Sequence, residues 1–273
     1  MAVKAFDLLK NASRAPEIFR CVAETSQWLQ ITSAYLGFSK LAYPGVLHLR
    51  SGQCIHLEEI TDVKTFWQIF LRRVYRVEAS DHVILDIGAN VGLFALYAAR
   101  QAPEARIFAV EPFPATFERL LQTVSEHQLA RRIMCLNYAV AGGGGIRVMV
   151  NDASPSQRRA MVPPQKSASG IQVQAKTLVQ LLQEYDLNRV DLLKMDIEGS
   201  EYEVLMSASP DVFRNIRRIA LEYHGDCAPC HKTQIFERLR EAGFQVTWDV
   251  QDNLGYGVAE AVMARALAPA GEY

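Results

Sequence analysis

The sequence predicts an α/β protein organised on an open, largely parallel sheet, with its ligand site at the strand ends. Three stretches carry that expectation. Val83 to Ile87 is an apolar run interrupted by Asp86, followed by Gly88 and Gly92 and then by the helix-forming residues Leu93 to Arg100. Arg106 to Val110 is a second apolar strand, and Glu111 with Pro112 stands at its end. Val190 to Met195 is a third, running into Asp196-Ile-Glu198-Gly199-Ser-Glu201, so that strand, acid, glycine and helix recur. In such sheets ligands lie in the crevice outside the carboxyl ends of the strands, which makes these acids candidate site residues.

The elements follow in order. Residues 1 to about 40 place Phe6, Leu9, Ile18, Val22 and Trp28 at spacings that suit one or two amphipathic helices, belonging to no strand-helix unit. They read equally well as a lid or dimer surface and as a packing extension. Val46 to Leu49 and Cys54 to Leu57 flank Ser51-Gly52 and predict a hairpin. Thr61 or Asp62 is expected to cap a helix with Phe66, Phe70 and Val74 on one face, leading into the strand at Val83.

Beyond Glu111, Phe117 to Gln128 is helical in pattern and Ile133 to Leu136 strand-like. The glycines 142 to 145 predict a turn before a strand at Ile146 to Val150. Residues 151 to 170 show little periodicity and are expected to form a long substrate loop. Ile171 to Ala175 reads as extended and Leu178 to Tyr185 as helical. After Met195 come a strand at Ile216 to Tyr223, a helix at Ile235 to Ala242, and two final strands, Phe244 to Val250 and Val258 to Ala264, expected to pair antiparallel.

The bulk properties narrow the function. A chain of 273 residues can bury a sizeable core. A net charge of −1 gives no electrostatic reason to expect nucleic acid as a partner. Five cysteines with one close pair suit a reducing compartment, so a cytoplasmic location is expected; no signal peptide or membrane span is read.

The glycine turn indicates the ligand. A dinucleotide fingerprint has its second glycine two residues after the first, where this chain has Asn90, so no pyrophosphate cradle is predicted. An acid about 20 residues past the turn suits ribose hydroxyls, which is the position of Glu111. A nucleoside without a diphosphate, held by strand-end acids, points to S-adenosylmethionine.

A hydroxyl acceptor is a poor nucleophile, so the site needs a base or a cation beside it. His224, just past the strand at Ile216 to Tyr223, is the first candidate, because an imidazole titrates near roughly pH 6.5. Asp196, Glu198 and Glu222 are expected on the same side of the sheet. They would suit a divalent ion, which is not favoured over a helix-capping role for this acidic turn. Lys194, in an otherwise apolar strand, needs an acidic partner. Cys227 and Cys230 between two histidines read as a turn rather than a zinc site, because no second ligand pair of that spacing exists.

Asp86-Ile-Gly-Ala-Asn-Val-Gly92, Val110-Glu-Pro112, Asn137-Tyr-Ala-Val140, Lys194-Met-Asp-Ile-Glu-Gly-Ser-Glu201 and Glu222-Tyr-His224 together resemble the FkbM family of S-adenosylmethionine-dependent methyltransferases. The resemblance runs from about Gly52 to Ala266, with the Lys-x-Asp-x-Glu-Gly block as its most specific part. It implies a class I methyltransferase fold, a Rossmann-like sheet of seven strands with the last one antiparallel. It further implies Asp86, Gly88, Ala89, Asn90 and Gly92 around the methionine half of the cofactor, Glu111 and Pro112 at the ribose, and Asn137 and Ala139 near the adenine. Asp196 and Glu198 complete the cofactor-side candidates, and His224, Asp196 and Glu222 are the catalytic ones.

The expected activity is O-methylation of a sugar, glycan or secondary-metabolite hydroxyl. A nicotinamide-dependent oxidoreductase and a non-catalytic S-adenosylmethionine-binding module are the alternatives. Residues 1–45 are expected as an N-terminal helical extension and 46–273 as the methyltransferase domain. Assembly as a homo-oligomer is left open.

Overall fold

A computed structural model describes residues 14–151, 159–162, 170–197, 199–223, 232–251 and 257–264. The chain divides into two compact units, Met1–Val74 and Tyr75–Tyr273.

The first unit contains helices α1 (Ala15–Glu24) and α2 (Trp28–Tyr35), strands β1 (Gly45–His48) and β2 (Cys54–Leu57), and helix α3 (Ile60–Phe66), which continues as a π-helical stretch, Trp67–Arg72. The two helices and the hairpin are as expected; β1 and β2 pair antiparallel, Gly45 opposite Leu57. The Gln27 side chain spans the open edge of β1: its amide donates to Val46 O at 3.1 Å and its oxygen accepts from His48 N at 2.7 Å. Trp67 stacks on Tyr35, ring centres 4.0 Å apart, and donates its indole N–H to Glu17.

The cap of α3 differs from expectation. Glu59 occupies the cap position, and Asp62, three residues on, reaches back to accept the backbone N–H groups of Glu58 and Glu59 at 2.7 and 3.2 Å. A capping box needs a reciprocal acid inside the helix, and Asp62 fills that place. The hairpin and α3 belong to the same compact unit as the N-terminal helices, Met1–Val74.

The second unit is built on β3 (Val83–Ile87), α4 (Leu93–Gln101), β4 (Arg106–Val110), α5 (Pro114–Glu126), β5 (Ile133–Leu136), β6 (Ala139–Val140), β7 (Gly145–Asn151), β8 (Arg159–Val162), β9 (Ile171–Lys176), α6 (Leu178–Glu184), β10 (Val190–Met195), α7 (Glu201–Ser207), α8 (Pro210–Phe213), β11 (Ile216–Tyr223), α9 (Lys232–Glu241), β12 (Phe244–Gln251) and β13 (Gly257–Met263). Seven strands form one sheet in the order β12-β13-β11-β10-β3-β4-β5. From β11 to β5 neighbours run parallel, and β13 is antiparallel to both β11 and β12. This is the class I methyltransferase arrangement, with its reversed strand between β11 and β12.

The chain proceeds from β3 outward to β5 and then returns to lay β10 on the other side of β3. The strand order therefore reverses between β3 and β10, and a crevice opens at their carboxyl ends. Every residue of β10 is buried, as a strand covered on both faces requires. Leu85, Ile87, Phe108, Leu193, Met195, Ile219 and Leu221 lie in one core cluster.

A second sheet, β6-β9-β7-β8, corrects the expectation of one long loop after residue 151. Arg159–Val162 pairs antiparallel with β7, Val162 opposite Val148, so part of that segment is a hairpin arm. Four residues hemmed in by prolines and polar residues carry too little alternation to be read as a strand. Residues 152–158 and 163–169 lie outside the described residues.

At the opposite end of the main sheet the buried Arg218 donates to Asp81 at 2.6 Å and to Glu260 on β13 at 3.0 Å. Asp191, also buried, accepts the backbone N–H groups of His82 and Val83 at 2.9 and 3.1 Å.

Candidate active site

The turn after β3 is shaped by three left-handed residues, Gly88 (φ 81°), Asn90 (φ 50°) and Gly92 (φ 87°). Glycine adopts this region without penalty, and asparagine tolerates it better than other side chains. The amides of Gly88 and Ala89 donate to Val110 O at 3.0 and 2.9 Å, which ties the turn to the end of β4. Glu111, buried there, accepts Asn90 N at 3.0 Å on one carboxylate oxygen and Phe113 N at 2.9 Å on the other. Asn137, past β5, donates through its side chain to Glu111 O at 2.9 Å and Pro112 O at 3.2 Å. The turn and the ends of β4 and β5 are thus held as one piece. Ala139 follows in β6, buried.

Across the switch point, Asp196 N donates to Ile87 O at 3.0 Å. Gly88 and Asp196 are so close that a Cβ on Gly88 would lie 1.8 Å from Asp196 O. Glu201, at the start of α7 and almost fully buried, accepts the amides of Ile197 and Gly199, each at 2.8 Å. A carboxylate at a helix N-terminus satisfies free amide groups there, so this acid shapes the turn after β10. Ser200 occupies the cap position without a side-chain capping bond, so the capping falls to Glu201.

Lys194 lies at the centre. In the register of β10 and β3 it stands beside Asp86, and its ammonium sits 3.0 Å from Asp86 Oδ1 and 3.9 Å from Asp196 Oδ2 while donating to Gly88 O at 2.6 Å. Tyr75 and Phe94 cover it, ring centres 5.7 and 5.9 Å from Nζ. Burial works against this ammonium, but Asp86 and then Asp196 outweigh it and hold its pKa above the ordinary lysine value. Burial lifts the Asp86 carboxyl above the usual aspartate range, with Lys194 pulling it back. Asp86 is fully buried beneath the turn, whereas the Asp196 side chain is 30% exposed. Of the two acids nearest Lys194, Asp196 is the one a ligand can reach.

Glu222 joins them from β11. Met195 pairs with Leu221, which sets Glu222 level with Asp196 on the adjacent strand. The Tyr75 hydroxyl donates to Glu222 Oε2 at 3.2 Å. Burial first, and then the negative charges of Asp196 and Glu222, push the Tyr75 phenol well above its usual value. Asp86, Asp196, Glu222, Lys194 and Tyr75 therefore form one cluster at the ends of three adjacent strands. Glu198, His224 and the Cys227-to-Cys230 segment lie outside the described residues.

Tyr75 has no signal in the sequence. It stands in an irregular segment between the π-helical stretch and β3, carries no motif, and enters the site through packing on Phe94 (ring centres 5.5 Å apart, edge to face).

The Methyltransferase FkbM domain family matches residues 86–246, from the first strand-end acid into β12. The chain belongs to the FkbM methyltransferase family. Among individual proteins, this FkbM-family chain is 27% identical over 213 residues to methyltransferase sdnD of Sordaria araneosa, covering 67% of this chain and 82% of that one. It is 26% identical over 211 residues to the 31-O-demethyl-FK506 methyltransferase FkbM of Streptomyces tacrolimicus, with 66% and 78% covered. With the hexuronic acid methyltransferase AglP of Haloferax volcanii it shares 24% over 193 residues, with 66% and 75% covered. Among the described residues of this FkbM-family chain, no helix is long and apolar enough to cross a membrane.

Proposed function

We propose that this protein uses S-adenosylmethionine to methylate a hydroxyl oxygen of a sugar, glycan or secondary metabolite. The observation that carries the reading is the meeting, at one switch point, of a glycine turn that ends on Glu111 with the acid cluster of Asp196 and Glu222. The donor set fits the cofactor. A ribose presents two hydroxyl donors, and an ionised carboxylate such as that of Glu111 is acceptor-only, with about four lone-pair sites. Glu111 would hold the ribose, Asn137 and Ala139 would border the adenine, and Gly88 to Gly92 would carry the methionine part above Asp86.

S-adenosylmethionine supplies an electrophilic methyl carbon. The protein's part is to align the acceptor oxygen and take its proton, and alignment alone can supply much of the acceleration. Asp196 and Glu222 are carboxylates on adjacent strands that can accept a hydrogen bond from a hydroxyl and then its proton. His224, the next residue but one after Glu222, remains a candidate for the same task. Lys194 places a fixed positive charge among the acids, the role a metal ion would otherwise take. The named activities of FkbM on 31-O-demethyl-FK506 and of AglP on a hexuronic acid support a hydroxylated acceptor.

Isothermal calorimetry with S-adenosylhomocysteine, followed by transfer of label from methyl-tritiated S-adenosylmethionine to a panel of hexuronides and macrocyclic alcohols, tests this. Binding together with an alkali-stable labelled ether is expected. No binding of S-adenosylhomocysteine would sink the proposal.

A further inference from the structure

We propose that Tyr75 is the positioning residue of the acceptor half of the site: its hydroxyl fixes the Glu222 carboxylate, level with Asp196, in the ionised form that receives the acceptor's proton. The inference rests on the methyl-transfer reading and goes beyond it by assigning the base and the group that directs it.

The geometry leaves the phenol little freedom. Its ring is buried, sits edge to face on Phe94, and forms part of the cover over the Lys194 ammonium. Phenylalanine would fill the same volume and cover the same cation. The hydroxyl is therefore the informative atom, because burying it costs free energy unless it is hydrogen-bonded. Its bond goes to Glu222 Oε2. With its pKa pushed well above the ordinary tyrosine value, the phenol stays protonated through the physiological range and remains a donor. A donor to the charged form of a carboxyl favours that charged form.

The charges around this contact explain why a donor is needed. Asp86, Asp196 and Glu222 all act on the Lys194 ammonium, which already makes close contacts with Asp86 and Gly88 O. Carboxylates crowded together hold protons more tightly, and a protonated Glu222 could not act as a base. A neutral donor offsets this without adding a second fixed cation beside the sulfonium site. In the step itself, Glu222 takes the hydroxyl proton as the acceptor oxygen forms its bond to the methyl carbon. The electron pair of the broken carbon–sulfur bond remains on the sulfur of S-adenosylhomocysteine.

The test needs no identified acceptor. In the full-length protein, with carboxyl-¹³C glutamate and Glu222→Gln used to assign the resonance, the titration of Glu222 is compared between wild type and Tyr75→Phe, each saturated with S-adenosylhomocysteine. Tyr75→Phe is expected to raise the Glu222 midpoint by about half to one pH unit, the size of a single lost hydrogen bond to a carboxylate, and to leave S-adenosylhomocysteine affinity within about threefold. An unchanged midpoint overturns the proposal, and so does a tenfold loss of cofactor-product affinity, which would move Tyr75 to the cofactor side. Should Tyr75→Phe fail to fold, the contact is read from its other end. Glu222→Gln removes a negative charge and an acceptor, so the ¹³Cζ signal of Tyr75 is expected to titrate at lower pH, and an unmoved Tyr75 signal counts against the proposal. Failure of the wild type to bind S-adenosylhomocysteine is a separate result, which removes the methyl-transfer reading while the Tyr75–Glu222 coupling can still be measured in the free protein.

Discussion

The Lys194 ammonium donates a 2.6 Å hydrogen bond to the carbonyl oxygen of Gly88, so a side chain of β10 holds the turn that follows β3. The same ammonium neutralises the buried Asp86. Lys194→Met is expected to lower stability by about 3–5 kcal/mol, because it strands a buried carboxylate. Adding Asp86→Asn should recover much of the melting temperature but not the affinity for S-adenosylhomocysteine, since the tie to Gly88 is still missing. Full recovery of affinity in the double variant would reduce Lys194 to a counter-ion.

Gly88→Ala is expected to abolish S-adenosylhomocysteine binding. Its Cβ would meet Asp196 O at 1.8 Å, a backbone atom that cannot rotate away, and its φ is 81°. Gly52→Ala is the control: φ is 87° there, but nothing lies within 4 Å of the added carbon. That variant should pay only the left-handed strain, about 1 kcal/mol, and bind normally. Equal behaviour of the two would mean that strain, not the clash, decides.

Removing Glu111, the proposed ribose acceptor, gives the third expectation. Glu111→Ala should weaken S-adenosylhomocysteine by about ten- to a hundredfold, from roughly 1.5–3 kcal/mol of charge-assisted hydrogen bonding. Glu111→Gln keeps an acceptor for only one of the Asn90 and Phe113 amides and sets an NH2 against the other, so it removes the charge and one tie of the turn together while keeping the side chain's volume. Unaltered calorimetry in a folded Glu111→Gln and Glu111→Ala pair would take Glu111 out of the site.

Acid should unfold the protein partly through Asp191. Burial alone would raise its carboxyl, but the His82 and Val83 amides and Arg189 outweigh burial and hold its pKa below the ordinary aspartate value. With the folded pKa depressed, the unfolded chain binds the proton first, so the stability due to Asp191 is present above about pH 4 and is lost as pH falls through the lower folded value. Asp191→Asn should lower stability at neutral pH and flatten the acid limb of the stability curve. An acid limb identical in the two proteins would contradict that account.

Much of the main sheet could be read from the chain because its central strands are largely buried, and buried parallel strands appear as short apolar runs ending in acids and glycines. β3, β4 and β10 announced themselves in this way, whereas β12 and β13 were legible as two successive extended runs expected to pair antiparallel. Lys194 was legible as needing an acidic partner, because an ammonium in an apolar strand has few alternatives. Tyr75 was not, because its role arises from contacts with Phe94 and Glu222 that are distant in sequence and leave no spacing to detect. β7 and β9 were legible as extended runs, but β8 and the joining of these strands into a second sheet were missed, because the pairing is set between β7, β8 and β9 rather than by any pattern in Arg159–Val162. A cap over the free amides at the start of α7 was legible at Ser200 with Glu201 beside it, and the structure puts the bonds on Glu201.

The reversed strand β13 lies inside the sheet, between β11 and β12, although it follows both of them in the chain. Until residue 263 has emerged from the ribosome, β11 is an open edge and Arg218 lacks its Glu260 partner. Strands β3, β4, β5, β10 and β11 can assemble earlier, and the family match already ends at residue 246. Nascent chains of this protein therefore pass through a stage in which a hydrophobic strand edge is presented beside a buried arginine with incomplete neutralisation, the condition in which strand-to-strand aggregation competes with closure. Closure of this sheet waits for β13, and a chaperone that shields strand edges would have its greatest effect on yield in the interval between residues 223 and 263.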